Sequence, residues 1–190
     1  MTILKQRFLK NKRTFAKNSF SPKLNIRKNG EDIVIEFPIY ETEPRETPAE
    51  VLNALGLEKV NNCVYNSETN ILLLEIEDCE LVRNLTPDFE KLLQAHNSIN
   101  GVLVTALSNK NNYDFESRYF WPWSGTNEDP VTGGTHTFLA KYWGKRLNKT
   151  KMNSFQCSER TGFMEVELIN SETMLIKGEA QIVLKGELRI

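Results

Sequence analysis

The chain has 190 residues, of which 39% are hydrophobic and 26% charged, and its formal net charge is −1. This balance is typical of a globular chain, so it excludes a wholly disordered polymer and a polycation built for nucleic acid. No apolar run approaches the roughly 20 residues that cross a bilayer, and we expect no secretory signal at the basic start of the chain.

The first segment of the chain differs in charge from everything that follows. Residues 1–28 contain nine Lys or Arg and no Asp or Glu, so the rest of the chain is acidic. Such an arm could contact nucleic acid or an anionic surface. It lacks dense basic clusters with interleaved aromatic residues, so we favour a solvated arm, or the edge of a missing neighbour, and consider nucleic acid an unlikely partner.

Strand patterns begin at Lys23 and lead to a candidate boundary. Leu24 and Ile26 alternate with polar residues, residues 28–30 supply a turn, and residues 33–37 alternate again. Pro38 and Pro44 then flank an exposed linker. The sequence therefore predicts a hairpin followed by a domain boundary near residue 40.

The middle of the chain mixes short helices with strands. Thr47-Pro48 and Thr86-Pro87 are cap-plus-proline starts, and Gly56 is a stop signal for the first of these helices. Strands are predicted at 62–65, 71–76, 101–107 and 113–121, and a helical turn is predicted at 79–83.

The last third repeats this mixture. The sequence predicts a helix over 135–147 and four strands at 152–158, 163–169, 174–177 and 181–188. Strands outnumber helices and do not alternate regularly with them, which predicts an α+β fold.

The long polar stretch over residues 121–136 is the strongest candidate for chemistry. It places Asp129 before Pro130 and a Gly133-Gly134 pair at the start of the predicted helix. Free N–H groups of Gly133, Gly134 and Thr135 would favour an anion there, with a carboxyl group beside it for proton transfer. The alternative from the residues alone is an ordinary glycine-rich loop with an exposed Asp129 and Thr132 as the helix cap.

Three ordered motifs resemble a known family. NEDPVTGGTH at 127–136, LAKYW at 139–143 and QCSERTG at 156–162 are similar to the PhzF-like isomerases of phenazine biosynthesis. The resemblance implies a diaminopimelate-epimerase-like fold of two similar α+β halves, each with a sheet wrapped around a central helix. It divides the chain into a basic arm with residual strands of a truncated first domain, 1–40, and a second domain, 41–190.

The resemblance also implies an activity and a site. Known members isomerise a small carboxylic acid by moving a proton and a double bond, without metal or organic cofactor. Asp129 matches the family's assisting aspartate and is the catalytic candidate. Gly133 and Gly134 match its anion-binding turn, and with Thr135 and His136 they are the substrate-binding candidates.

Two departures from the family pattern qualify this interpretation. Family members often carry Ser or Ala where this chain has Gly134. Roughly the first third of the pattern, including the catalytic glutamate in an N-x-S-E-T context, has no counterpart ahead of Ile33. Two NSET strings occur, at 66–69 and 170–173, but each lies between strand-like runs, so we interpret Glu68 and Glu172 as turn residues.

We therefore expect an N-terminally truncated PhzF-like isomerase or epimerase, and whether this chain alone is an active enzyme stays open. The alternative is a non-catalytic small-anion or protein-binding module derived from that fold. A small carboxylate ligand, self-association or a homodimer, no membrane partner and no metal are expected, because His96 and His136 are too isolated for a metal site. Three isolated cysteines, Cys63, Cys79 and Cys157, fit a reducing cytosol and predict a cytoplasmic protein.

Overall fold

One mixed sheet runs through the chain in the computed structural model, which describes residues 14–16, 24–30, 32–96 and 98–179. The strands within these ranges are β1 Thr14–Ala16, β2 Leu24–Asn29, β3 Asp32–Pro38, β4 Glu43–Pro44, β5 Asn62–Asn66, β6 Ile71–Glu75, β7 Gly101–Leu107, β8 Phe115–Phe120, β9 Glu128–Asp129, β10 Lys151–Gln156, β11 Gly162–Leu168 and β12 Thr173–Glu179. The helices are α1 Ala49–Leu55, α2 Cys79–Asn84, α3 Phe89–Ala95 and α4 His136–Leu147.

The strand order explains where the helices lie. The sheet runs β1-β2-β3-β12-β11-β10-β8-β7-β6-β5-β4, and β9 pairs with β8. β6 pairs with β7, and β8 with β10, in parallel, while the other pairs are antiparallel. Parallel neighbours need a long connection, and here α2 and α3 join the first pair and α4 joins the second. The mixed sheet with four short helices confirms the α+β prediction.

The central strands β6–β8 are covered on both faces. Alternate residues point to opposite sides, so Leu72 and Leu74 join one apolar cluster while Ile71 and Leu73 join another. The first cluster includes residues of α1, α2 and α3, and we call this side the α1–α3 face. The second includes residues of α4, and we call it the α4 face. Burial on both faces explains the continuous apolar sequence of β6.

Helix starts differ in detail from the predictions. Pro48 itself holds the N-cap position of α1, with no side-chain cap, so Thr47 is not the cap. Asp88, not Thr86, caps α3, because its carboxylate accepts the Lys91 N–H. A carboxylate one residue before the helix reaches the exposed N–H groups of its first turn, which a threonine two residues earlier does not.

The hairpin predicted near the start of the chain is present, and it pairs with the last described strand. β2 and β3 pair antiparallel around Gly30, and β3 also pairs with β12 from Asp32 to Pro38. The predicted strand at 181–188 and most of the basic arm lie outside the described residues. The division into two domains near residue 40 stays a prediction.

The linker before α1 is irregular except at β4, which pairs with β5. Among the described helices, none is long and apolar enough to cross a membrane.

Candidate functional site

Asp129 lies on the two-residue strand β9, directly opposite Tyr119 of β8. Asp129 is partly buried. Tyr119 belongs to the apolar cluster of the α4 face, so β9 directs Asp129 to the same side of the sheet as α4. Burial raises the pKa of the Tyr119 phenol, and the charge of Asp129 raises it further.

A fully buried glutamine fixes the loop that follows Asp129. Gln156 of β10 accepts the Thr132 N–H at 2.7 Å and donates to the Asp129 carbonyl at 2.6 Å and to the Thr132 hydroxyl at 3.2 Å. Since that hydroxyl oxygen receives a hydrogen from Gln156, its own hydrogen is free for the Asp129 carboxylate, with which it bonds. One amide therefore orients both the loop backbone and the carboxyl group.

The next part of the loop is anchored to the connection after β10. The Ser158 hydroxyl donates to the Pro130 carbonyl, and the backbone of Gly162 lies against the Val131 side chain. An added Cβ at Gly162 would meet Val131 at 2.3 Å, so this contact requires glycine. The loop is thus held on one side by Gln156 and on the other by Ser158 and Gly162.

The residues that follow Thr132 present backbone donors at the start of α4. Within the described residues, the N–H groups of Gly133, Gly134 and Thr135 have no hydrogen-bond acceptor. Thr135 is buried and Gly134 is exposed, so the array opens to solvent at Gly134. α4 has 12 residues, and its N-terminal dipole favours an anion at these donors.

His136 is buried behind the donors. Its Nδ1 lies 2.9 Å from the Thr132 carbonyl, which can only accept, so Nδ1 carries the hydrogen. Its Nε2 then accepts from the Ser154 hydroxyl at 2.7 Å. Burial lowers the pKa of His136 to about 4, which keeps the ring neutral. Both ring nitrogens bond to the protein, and this geometry supports the loop from behind; the expected contact with substrate stays a prediction.

The remaining sequence candidates lie elsewhere. Glu68 and Glu172 sit in turns in which Asn66 and Asn170 accept backbone N–H groups, which confirms both as turn residues. Thr132, the alternative cap, bonds to Asp129, and Thr135 takes the N-cap position, where its hydroxyl donates to the Thr132 carbonyl and caps no helix N–H. Arg160 is exposed. Over the described ranges, no three His, Cys, Asp or Glu side chains gather as a metal site would require.

Sequence reasoning missed the role of Gln156 as the loop's anchor. Gln156 is the last residue of β10, a strand in which buried and more exposed positions alternate. A fully buried amide at one of the buried positions requires hydrogen-bond partners. That requirement is a usable signal, but the partner lies 24 residues away in the chain. Four cavities lined by described residues have walls that include neither Asp129 nor Gly134.

Comparisons with known proteins agree on one family. The family model described as phenazine biosynthesis-like protein, PhzC-PhzF, matches residues 23–186. An uncharacterized isomerase of Pseudomonas aeruginosa is 36% identical over 170 residues, covering 90% of this chain and 62% of that protein. A phenazine biosynthesis-like domain-containing protein of Homo sapiens is 34% identical, with 90% and 63% covered.

Solved structures give the same result for the fold. A phenazine biosynthesis protein of the PhzF family from Enterococcus faecalis superposes with a TM-score of 0.79 and 36% identity, over 90% of this chain and 63% of that chain. A Pseudomonas aeruginosa protein described as a predicted epimerase has a TM-score of 0.61 at 18% identity and supports the fold alone. The expected epimerase-like fold is confirmed. The chain spans less than two thirds of the length of these relatives.

Proposed function

This chain belongs to the family of phenazine biosynthesis-like proteins, and we propose that its site serves proton-transfer isomerisation or epimerisation of a small carboxylic acid. The observation that carries the proposal is the array of three N–H groups at the start of α4 that have no acceptor among the described residues. The array follows Thr132, whose hydroxyl bonds the Asp129 carboxyl group. A ligand carboxylate bound to the array would lie beside a group able to exchange a proton with it.

The proposed roles follow from the geometry of the loop. Gly133, Gly134 and Thr135 bind the ligand carboxylate through the backbone, and Asp129 moves the proton. His136 is neutral and holds the Thr132 carbonyl in a hydrogen bond, so neither group adds a charge beside the anion. Gln156 and Thr132 hold the carboxyl group of Asp129 in one orientation.

Turnover needs more than these residues. Taking a proton from one carbon and returning one at another requires a second acid or base. The family resemblance assigns that role to a glutamate in the part of the pattern that this sequence does not match. We therefore propose that the residues of this chain bind the acid and supply one of the two proton-transfer groups, and that turnover depends on the second group.

A second candidate function rests on the same loop. The donors and the loop supports described above come from residues 129–162 of this chain. A non-catalytic small-anion or protein-binding module would need only these residues. In a chain supplied with the second acid or base, proton exchange separates the two candidates, because a binding module takes up its ligand without exchanging the carbon-bound hydrogen.

The first test is a titration of the chain with acetate, followed through backbone amide shifts. We expect the amides of residues 133–135 to respond, with weak binding worth on the order of 1–2 kcal/mol. Asp129→Asn removes a negative charge near the anion, so its affinity should be equal or slightly higher. Responding amides elsewhere in the chain, with none at 133–135, contradict the site.

The second test addresses catalysis in a chain extended with the N-terminal third of a relative. Deuterium uptake from heavy water into the carbon skeleton of a carboxylic acid substrate reports proton transfer. Asp129→Asn keeps the shape and removes the exchangeable proton, so most of the uptake should be lost. Unchanged uptake in this variant would mean that Asp129 is structural.

We also propose that the site works without metal or coenzyme, that the chain self-associates or forms a homodimer, and that it acts in the cytoplasm. Exposed Phe163, Leu107 and Ile169 support association, since their exposed fractions are 57%, 51% and 49%. The free thiols of Cys63, Cys79 and Cys157 fit a reducing compartment. Stoichiometric zinc or flavin in the purified protein, or a monomer at all concentrations in sedimentation, contradicts the first two statements.

A further inference from the structure

Glu128, which precedes Asp129 in the chain, forms a bidentate salt bridge with Arg118 on the α1–α3 face of the sheet. We call such a bidentate arginine–carboxylate pair a fork. Arg118 Nε donates to Glu128 Oε1 at 2.7 Å, and its Nη2 donates to Oε2 at 2.8 Å. The Arg118 side chain is 11% exposed and that of Glu128 17%, so solvent screens the pair little. The bond to Glu128 raises the pKa of Arg118.

Arg118 also ties this pair to α2. Its Nη1 donates to the Leu85 carbonyl at 2.7 Å, just beyond the end of the helix, and its guanidinium lies 4.9 Å from the ring centre of Phe120. The arginine is therefore fixed by strand, helix and ring at once, and it fixes Glu128 in turn.

The position of Glu128 decides the direction of Asp129. β9 has only these two residues, and side chains of successive strand residues point to opposite faces. Glu128 pairs with Phe120, a residue of the α1–α3 face, and Asp129 pairs with Tyr119, a residue of the α4 face. A strand this short has little backbone pairing to hold its register, so its side-chain anchor carries more of that task.

We propose that Arg118 and Glu128 are positioning residues for the site. Their fork holds β9 in register, and it thereby orients Asp129 and the loop that follows it towards the ligand. The proposal rests on the proposed function, because it concerns the aim of the same carboxyl group. A fork with two parallel bonds fixes both the place and the rotation of a carboxylate, which a single ammonium does not.

The chain contains a matched control for this fork. Arg83 Nε donates to Glu116 Oε2 at 2.7 Å, and its Nη2 bonds Glu116 Oε1, again on the α1–α3 side. Glu116 lies near the start of β8, between β7 and β10, whereas β9 pairs with the end of that strand. Glu116 is completely buried. This pair has the same chemistry and comparable burial, and within the described ranges its side chains make no bond to the Asp129 loop; its one link to the Arg118–Glu128 fork is the Arg83 backbone carbonyl, 3.4 Å from Arg118 Nη1, which Arg83→Lys retains.

The experiment compares Arg118→Lys with Arg83→Lys in the full chain. Both changes keep the charge and remove the fork, so both should lower Tm. The specific readouts are the Gln156 side-chain amide shifts and hydrogen exchange at the Thr132 N–H, because both groups bond within the Asp129 loop. We expect Arg118→Lys to move the amide shifts and speed this exchange, and Arg83→Lys to leave both unchanged.

Ligand binding gives an independent measure with acetate as the probe. Arg118→Lys should weaken acetate binding about fivefold, a loss within the range of a helix N-terminal anion contact, while Arg83→Lys leaves it unchanged. Glu128→Gln keeps the shape and one acceptor oxygen, and it should move the same loop amides if Arg118→Lys fails to fold. The proposal is overturned if Arg118→Lys and Glu128→Gln leave the loop amides in place, or if Arg83→Lys moves them equally.

Failure of the proposed function gives a different pattern. An unmodified chain that does not respond to acetate at residues 133–135 argues against the ligand site. The loop readouts need no ligand, so they still report whether the Arg118–Glu128 fork sets the position of β9.

Discussion

The two faces of the central strands support the site with different chemistry, although the α4 face also buries Glu75 against Tyr142 and Arg146 of α4. On the α1–α3 face, aliphatic side chains surround two arginine–carboxylate forks, Arg83–Glu116 and Arg118–Glu128. On the α4 face, the buried polar groups that support the Asp129 loop are neutral, and they include His136, Ser154 and Gln156. Glu116 and Gln156 are both fully buried, on opposite faces of neighbouring strands.

This difference separates the anchoring of the site from its chemistry. Paired ions give strong, directional anchoring, but an ion buried next to a bound anion would attract or repel it. Neutral donors and acceptors orient the loop without adding such a charge. The α4 face can therefore present Asp129 and the backbone donors of α4, while the fixed charges of the forks stay behind the sheet.

The largest expected effect tests whether both faces belong to one cooperative unit. Leu73 and Leu74 are neighbours on β6, each fully buried, and they point to the α4 face and the α1–α3 face respectively. Leu73→Ala and Leu74→Ala should each lower the free energy of unfolding by about 2–5 kcal/mol, through lost burial and a new cavity. Urea unfolding followed by fluorescence and by circular dichroism measures both.

The two optical probes also provide the internal control. Coincident transitions in both variants mean that the faces unfold together. Separate transitions, with Leu74→Ala shifting only one of them, would show that the α1–α3 face folds independently of the site.

The second expected effect is a pH dependence of stability that His136 gives to the α4 face. Burial lowers the pKa of His136 to about 4 from an ordinary value of 6.5, so the unfolded chain binds the proton first as pH falls. Its contribution to stability is therefore present above about pH 6.5 and is lost towards pH 4, by about 3 kcal/mol in total. Urea unfolding as a function of pH measures this loss.

His136→Gln is the control for that measurement. Carboxylates titrate in the same range in both proteins, so the difference between the two stability profiles isolates the histidine. A variant whose profile stays parallel to that of the unmodified chain from pH 6.5 to pH 4 would mean that His136 is accessible to solvent protons in the folded protein.

The sequence predicted the elements whose signals are local. The apolar runs of β6 and β7 predicted buried strands, and Gly30 and Gly56 marked turns where the backbone adopts positive φ. Helix starts were less predictable, because Thr47-Pro48 and Thr86-Pro87 look alike in sequence, whereas the caps are Pro48 and Asp88.

The loop at Asp129 was predictable as a candidate, but its supports were not. β9 exists only because Glu128 and Asp129 pair with β8, and two residues carry no periodic signal of their own. The bond between Gln156 and Thr132 and the fork between Arg118 and Glu128 join residues distant in sequence. Such contacts depend on the register of the folded sheet, which local patterns do not specify.

The smallest effect on stability concerns the two ends of α4. Nothing lies within 4 Å of a Cβ added at Gly134, whereas one added at Gly144 would meet Leu168 at 2.7 Å and the Lys149 carbonyl at 3.0 Å. Gly134→Ser should therefore change the free energy of unfolding by less than about 0.5 kcal/mol, while Gly144→Ala, the control, costs about 1–3 kcal/mol.

The hydroxyl introduced by Gly134→Ser would lie at the open end of the donor array and add one hydrogen bond to a bound carboxylate. With a net hydrogen bond worth about 1 kcal/mol, acetate should bind about fivefold more tightly, as read from the amide shifts of residues 133–135. Weaker binding in Gly134→Ser at unchanged stability would mean that the ligand needs the space beside Gly134, and that the carboxylate lies closer to the backbone than a side-chain donor permits.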